Sequence, residues 1–231
     1  MAEAVEALRD KLLAYLAGHN TASLATSSGG SANLDLWASS VFYASDGFDL
    51  IFFSSPSCRH ARNLAQSLWA AATVNEDYHG WREIQGIQME GPVYKLSPGQ
   101  IGAALRVYLA KFPWVREFMP PLADRLLGLV GRVPPLGALL MRRLTDGEGA
   151  LSMVIDGRPV RACFYRLSPV HLYMIDNRTG FAQRQELVLK PDALPAGEGP
   201  RTEKALAYGE PAEPRAGRGP NRPTDGQRTN G

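Results

Sequence analysis

The sequence predicts a mainly β protein, a closed antiparallel barrel with a few helices packed around it. Three observations lead to this prediction: short strand-like runs are numerous, tight-turn dipeptides separate the first of them, and only short helical segments lie between the others. Strands joined by tight turns form meanders, whereas parallel strands need a long crossover. With 231 residues, 45% of them hydrophobic, the chain is long enough to bury one full core.

The N-terminal segment predicts an amphipathic helix that packs on the barrel. Its apolar side chains lie on one side, at Val5, Leu8, Leu12, Tyr15 and Leu16. Gly18 is a typical residue for the end of a helix. The segment carries acidic residues, unlike a signal peptide, and the sequence contains no uninterrupted apolar run of about 18 residues. We therefore expect no membrane span and a cytoplasmic location.

Three strands are predicted next, in residues 21–28, 32–45 and 48–55. Gly29-Gly30 separates the first two, and Asp46-Gly47 separates the second from the third. Both dipeptides favour the tight turns of β-hairpins. The three strands are therefore expected to form an antiparallel meander.

The central part of the chain predicts two helices and two further strands. Residues 57–68 have helical composition, and residues 68–77 and 85–97 resemble strands joined by a polar, aromatic loop. Residues 98–112 predict a helix with Pro98 near its start and Pro113 just past its end.

Three later segments complete the predicted organisation. Residues 118–150 contain two short apolar stretches broken by paired prolines, which predicts a helical insertion that either packs on the barrel or covers a site as a lid. Residues 161–177 predict one or two strands. Residues 195–231 are rich in Gly, Pro, Arg and Glu and contain few large apolar residues, which is typical of a disordered tail. The domain is therefore expected to span residues 1–194.

The junction between the third strand and the following helix predicts an anion site. Ser55 or Ser57 is expected to cap the helix, with Pro56 in its first turn. Arg59 and Arg62 are three residues apart and would share one helix face. Hydroxyls, a helix N-terminus and two arginines favour a phosphate group. The alternative is an ordinary capped helix with solvated arginines.

Several other functional classes are disfavoured by the sequence. The net charge is +2 with dispersed basic residues, so we expect no nucleic-acid partner. The four histidines lack the spacing of metal ligands, and no nucleotide-binding or hydrolase motif occurs. Cys58 is a candidate nucleophile beside Arg59, but residues two positions apart, such as Cys58 and His60, do not face each other on a helix. Catalytic chemistry would more naturally come from an organic cofactor.

Residues 20–97 resemble the FMN-binding split-barrel superfamily of pyridoxamine 5′-phosphate oxidase-like proteins. The resemblance lies in the order of strand, hydroxyl pair Ser54-Ser55, short spacer, basic pair Arg59-His60 and helix. Two later stretches, "AKFP" at 110–113 and "IDNRTGF" at 175–181, resemble an uncharacterised bacterial branch of that superfamily. The resemblance implies an antiparallel split β-barrel.

The resemblance also implies which residues bind the cofactor. The second strand would lie along the flavin, and the end of the third strand together with the basic pair would hold its phosphate. These positions are Ala38, Ser39, Ser40, Val41, Phe42 and Tyr43 for the second strand, and Phe53, Ser54, Ser55, Arg59 and His60 for the phosphate.

The sequence departs from the oxidase itself at four positions. The oxidase has a lysine in place of His60, an arginine and a lysine in place of Ala38 and Tyr43, and a glutamine in place of Gly86. The resemblance implies a homodimer that binds FMN at the subunit interface and acts on an unknown small molecule. Because of the four departures, we do not assign the protein to vitamin B6 biosynthesis. Three alternatives stay open: deazaflavin in place of FMN, a non-catalytic module that carries flavin or haem, and a structural dimer with a decayed site.

Overall fold

The fold is a closed antiparallel barrel extended by strands at both ends of its sheet. The computed structural model describes residues 2–28, 35–119, 142–146, 149–181 and 183–189. The helices in these ranges are α1 (Ala2–Gly18), α2 (Arg59–Leu64), α3 (Pro98–Lys111) and a 3-10 helix (Pro113–Phe118), and residues 142–144 are also helical. None of the described helices combines the length and apolarity that crossing a bilayer requires.

Nine strands form one sheet in the described part of the chain. They are β1 (Thr21–Ser27), β2 (Leu36–Asp46), β3 (Asp49–Ser54), β4 (Trp69–Asn75), β5 (Gln85–Lys95), β6 (Leu151–Ile155), β7 (Arg158–Leu167), β8 (His171–Asp176) and β9 (Arg184–Val188). Their order is β6-β7-β3-β2-β1-β4-β5-β8-β9, with every pairing antiparallel.

Strand β7 closes the barrel because it pairs with both β3 and β5. Leu167 is the register partner of Leu50 on one side and of Val93 on the other. A corner follows directly, where Ser168 and Pro169 cross over β5 at Gly91. A Cβ atom at position 91 would lie 2.8 Å from the Pro169 Cα, so only glycine permits this approach. The prediction of an antiparallel split barrel is confirmed.

The barrel interior forms the larger of two apolar clusters. Inward-facing residues of β1 to β5, β7 and β8 meet Leu8, Leu12 and Leu16 of α1 there. Tyr43 lies at the α1 end of β2, where its hydroxyl donates to the Leu16 carbonyl at 2.8 Å. The apolar face predicted for α1 is therefore a packing surface, although Val5 is exposed.

The second cluster lies outside the barrel, beneath α3. Ile51 of β3 and Phe164 of β7 pack there against Ile101, Leu105 and Tyr108 of α3. Because α3 covers this outer face, β3 is buried on both faces, which explains its continuous apolar run. Helix α3 begins at Pro98 as predicted, and the backbone amide of its N-cap, Ser97, donates to the Gln100 side chain at 2.9 Å.

The structure corrects the predicted start of α2. The helix has six residues, and its N-cap is Cys58, whose side chain makes no capping bond. Neither Ser55 nor Ser57 caps it, because the Ser55 hydroxyl accepts from the Ser57 amide at 3.3 Å and lies 2.8 Å from the Ser57 hydroxyl. Pro56 consequently lies in a turn before the helix and not in its first turn.

Two strands, β6 and β9, were absent from the sequence prediction. β6 forms a hairpin with β7 through Asp156 and Gly157, both with positive φ. That dipeptide is a hairpin signal in the sequence. β9 carries mostly polar residues at the edge of the sheet. The Gly29-Gly30 turn, most of the 118–150 insertion and the tail from residue 195 lie outside the described residues.

Candidate functional site

Polar side chains converge at the α2 end of the barrel. Ser39 of β2 and Ser54 of β3 lie on the inward-facing side of their strands, where α2 covers the barrel. His60, in the first turn of α2, is only 8% exposed and reaches both serines. Cys58, the residue before α2, also contacts His60. We call these four residues the His60 cluster.

The hydrogen bonds of the His60 cluster orient the imidazole ring. Nδ1 lies 3.1 Å from the Ser39 Oγ, and Nε2 lies 2.8 Å from the Ser54 Oγ and 3.1 Å from the Cys58 Sγ. Burial lowers the pKa of His60, so the ring is neutral at neutral pH and carries one N–H. With the proton on Nδ1, the ring donates to Ser39, and Nε2 accepts from the serine or the thiol.

Arg59 lies at the rim of this end of the barrel with its charge already paired. Its guanidinium donates to the carboxylate of Asp35 and lies over the Trp37 ring, with the guanidinium carbon 4.4 Å from the ring centroid. A salt bridge and a cation–π contact together fix the side chain. Arg59 is therefore adjacent to the predicted phosphate position, but its nearest anion in this structure is Asp35.

A flat shelf of small side chains lies on the outer face of the barrel. Ala38 of β2 is in register with Ala25 of β1, which is in register with Ala71 of β4. The next row contains Ser40, Ser23 and Thr73. Register partners share a face of the sheet, and all six residues are exposed or partly exposed. We call these two rows the outer shelf.

The predicted cofactor residues therefore fall on different surfaces. Ser39, Ser54 and His60 meet in the His60 cluster, whereas Ala38 and Ser40 lie on the outer shelf beside the exposed Phe42. The others do not join either group. Val41 and Tyr43 are buried in the barrel core, Phe53 packs against Tyr108 and Phe164, Ser55 bonds to Ser57, and Arg59 bonds to Asp35.

The outer shelf continues into a groove that was not predicted. The groove has a volume of ≈ 310 Å³ and is shared by β4, β5, β8 and the loop between β4 and β5. Amide, hydroxyl and carboxylate side chains line it together with apolar ones, including Thr73, Asn75, Glu76, Gln88 and Ile175. The alternation of inward- and outward-facing residues along β4 and β5 could have indicated some of these side chains. The sequence could not show that four segments meet here.

Two loops with exposed aromatic residues lie near the β5 and β8 ends of this face. The rings of Trp81 and Phe181 meet edge to face, with centroids 5.4 Å apart, and are 51% and 75% exposed. Asn177 joins the loops, since its side-chain amide donates to the Trp81 carbonyl at 2.8 Å and its backbone amide donates to the Ile84 carbonyl at 2.9 Å. The two segments form one aromatic projection.

The chain has distant relatives among known proteins, and no family model matches it. It is similar to the UPF0306 protein of Citrobacter koseri, with 32% identity over 89 residues, which are 38% of this chain and 61% of that protein. UPF0306 protein YhbP of Salmonella paratyphi A is 28% identical over 89 residues, covering 38% and 60%. The chain thus spans about three fifths of the length of these curated relatives.

Two solved structures superpose on the chain at low sequence identity. A haem binding protein from Mycobacterium smegmatis superposes with a TM-score of 0.50 and 15% identity, covering 78% of this chain and 57% of that chain. Campylobacter jejuni ChuZ superposes with a TM-score of 0.49 and 13% identity, covering 79% and 60%. The first of these likenesses supports the assignment of the fold.

Proposed function

Because the chain has the split-barrel fold of the pyridoxamine 5′-phosphate oxidase-like proteins, we propose that it is a homodimeric, cytoplasmic FMN-binding oxidoreductase acting on a small molecule. The observation that carries this proposal is the outer shelf. Its alanine row, Ala38, Ala25 and Ala71, allows a flat ring to approach the sheet closely. The neighbouring row of Ser40, Ser23 and Thr73 offers hydroxyl groups to the polar edges of that ring.

The substrate would occupy the groove that adjoins the outer shelf. Thr73 belongs to both surfaces, so a ligand in the groove would lie beside a ring on the shelf. The groove's volume of ≈ 310 Å³ suits a small molecule, and Asn75 and Gln88 supply neutral polar groups to orient it. FMN, when bound, supplies the electron-accepting ring, whereas the chain binds and orients both molecules.

The phosphate of FMN would lie at the α2 end of β2 and β3. Ser54, His60 and Arg59 are the predicted contacts there; Ser54 and His60 lie on the inward face of the sheet, and Arg59 lies at the rim. His60 is buried and neutral, so it can offer hydrogen bonds but little charge. Arg59 is therefore the main cationic group of the proposed clamp, and phosphate binding would replace its ion pair with Asp35.

A second copy of the chain would complete the site. A ring on the outer shelf has one face on the sheet and one exposed, and a symmetric partner is a common way to cover such a face. Exposed apolar side chains border the shelf on its own strands, at Leu36, Phe42 and Trp69. The aromatic projection of Trp81 and Phe181 is the proposed second wall.

The alternative is a module that carries flavin or haem without turnover. The ion pair between Arg59 and Asp35 favours it, because the guanidinium needed for a flavin phosphate is neutralised in this structure. Haem binds without a phosphate clamp. Absorption spectra of the purified protein distinguish flavin from haem, and NAD(P)H consumption with an added acceptor supports the oxidoreductase alone.

Blocking the outer shelf tests the proposed site directly. Ala25→Trp places an indole in the middle of the alanine row and is expected to abolish FMN binding in a fluorescence titration. Val188→Trp is the matched control, because Val188 lies on β9 at the edge of the same sheet, where its register partner is His171 of β8. Equal FMN affinity in wild type and Ala25→Trp would remove the shelf from the proposal.

A further inference from the structure

We propose that Cys58 is a covalent modification site for soft carbon electrophiles such as α,β-unsaturated carbonyl compounds, with His60 as its general base and Ser39 as the residue that positions the base. The inference concerns the cofactor-free protein, because His60 is also a proposed contact of the FMN phosphate. It rests on the His60 cluster, where a nucleophile and a base lie within hydrogen-bonding distance and a third group orients the base. That arrangement is the structural signature of an activated nucleophile.

The position of Cys58 before the helix makes the contact with His60 geometrically accessible. Cys58 is the N-cap of α2 with extended backbone angles, φ −71° and ψ 158°. Residues two positions apart point in different directions within a helix, but an extended N-cap residue turns its side chain back toward the first turn. The thiol makes no capping bond, so its Sγ is available to His60 Nε2 at 3.1 Å.

The protonation states of the pair favour general-base chemistry. Burial raises the pKa of the Cys58 thiol, so the sulfur is protonated at neutral pH. Burial lowers the pKa of His60, so its ring is neutral at the same pH and can accept a proton. With the proton on Nδ1, the ring donates to the Ser39 hydroxyl, and the Nε2 lone pair faces the thiol. His60 therefore removes the thiol proton while the sulfur attacks the electrophile, and no thiolate forms beforehand.

The chemistry that this set of residues supports is conjugate addition. The sulfur forms a bond to the β-carbon of the electrophile while its proton passes to His60 Nε2, and the electrons of the carbon–carbon double bond move to the enolate. His60 then returns the proton to the α-carbon. No leaving group, oxidant or reductant is needed, and the thioether retains all atoms of both reactants.

Two other residues of the protein, Ser54 and Cys163, serve as comparisons for the reactivity of Cys58. The Ser54 hydroxyl lies 2.8 Å from the same Nε2 atom and competes with the thiol for the one lone pair. Cys163, the other cysteine, is fully buried and serves as the reference thiol within the same molecule. Serine hydroxyls do not add to maleimides at neutral pH, so a maleimide reports on the two thiols alone.

The test is the rate at which N-ethylmaleimide modifies each cysteine of the purified full-length protein, followed by peptide mass spectrometry. At pH 7 we expect Cys58 to react at least about tenfold faster than Cys163. His60→Gln is expected to slow the reaction of Cys58 by about a hundredfold, the lower range for general-base catalysis. Ser39→Ala should slow it less, and Ser54→Ala should make it faster, because it removes the hydroxyl that competes for Nε2.

The pH dependence of the wild-type rate is the second readout, and it needs no variant. Base catalysis by His60 predicts a rate that rises as His60 deprotonates, below pH 6.5, and then levels off near neutrality. The proposal would be overturned by a rate that follows only the ionisation of a thiol with an ordinary or raised pKa and therefore increases steadily above pH 8. An unchanged rate for Cys58 in a folded His60→Gln protein would also overturn it.

Discussion

The guanidinium of Arg59 lies over the indole of Trp37, with its central carbon 4.4 Å from the ring centroid. The same guanidinium is ion-paired with Asp35, so the cation is held between an aromatic ring and a carboxylate. Asp35 thereby competes with any anionic ligand for the one cationic group of the proposed clamp. The affinity for such a ligand depends on both residues.

Substitutions at the two positions are expected to change FMN affinity in opposite directions. Arg59→Ala removes a charge-assisted contact and should cost about 2–3 kcal/mol, or roughly a hundredfold in Kd. Asp35→Asn removes the competing carboxylate and should tighten binding. Isothermal titration with FMN and with riboflavin, which lacks the phosphate, checks this. Riboflavin affinity should be the same in all three proteins, and a parallel change for both ligands would contradict the phosphate clamp.

His60 is expected to make the stability of the protein depend on pH below about 6.5. Its pKa is lowered in the folded state, so the unfolded chain binds the proton first as the pH falls. The free energy of unfolding then decreases with decreasing pH, by at most about 1.4 kcal/mol per pH unit, until the folded state is also protonated. Urea unfolding between pH 5 and 8 measures how the free energy of unfolding depends on pH in wild type and in His60→Gln. The same pH dependence in both proteins would contradict this prediction.

Asp176 is expected to stabilise the protein above about pH 4. The Arg178 side chain, at 2.8 Å, and Lys11, at 2.9 Å, hold the pKa of this buried carboxyl well below its usual range. A lowered pKa contributes stability above the unfolded value and loses it as the pH falls. Asp176→Asn should therefore lower the free energy of unfolding at pH 7 by about 2 kcal/mol and flatten its decline in acid.

Asp156→Asn is the control for the Asp176 experiment. Asp156 is exposed in the β6–β7 turn, and asparagine accepts its positive φ of 49°. This change should leave both the stability and its pH dependence close to wild type. Equal losses in the two variants would indicate a general effect of charge and not the buried contact with Lys11 and Arg178.

FMN is expected to shift the protein toward the dimer. If each flavin contacts two chains, binding and association are linked by mass action, and dilution should release the flavin. Sedimentation velocity of the apo and FMN-loaded protein over a concentration series measures both effects. A monomer that retains FMN with undiminished affinity would exclude an interface site.

Local sequence signals predicted most of the barrel. The Gly29-Gly30 and Asp46-Gly47 dipeptides predicted two of its neighbouring pairings, β1 with β2 and β2 with β3, because turn geometry acts over a few residues. The pairing of β7 with β5 could not be derived in this way. It joins residues far apart in the chain, and the close approach at Gly91 is set by the corner at Ser168.

The sequence did not predict how the candidate site residues are arranged. Ser39 was expected along the flavin ring and Ser54 and His60 at its phosphate, whereas in the structure these three side chains meet in the His60 cluster. The helix beginning at residue 57 was a wrong prediction, and it led to the conclusion that Cys58 and His60 do not face each other. Their contact depends on Ser55 and Ser57 bonding to each other, which delays the helix until Arg59.

Closure of the barrel by β7 has a consequence during protein synthesis. Ser54 pairs with Cys163, so one edge of β3 remains unpaired until the ribosome has added the intervening residues, roughly 5 to 20 seconds at usual elongation rates. The free edge of β5 waits for the same strand, because Lys95 pairs with Tyr165. Until β7 is made, the nascent chain exposes backbone amides of two apolar strands, which are the groups that pair with other chains. Chaperones that shield strand edges would therefore be most important to this protein before residue 167 emerges.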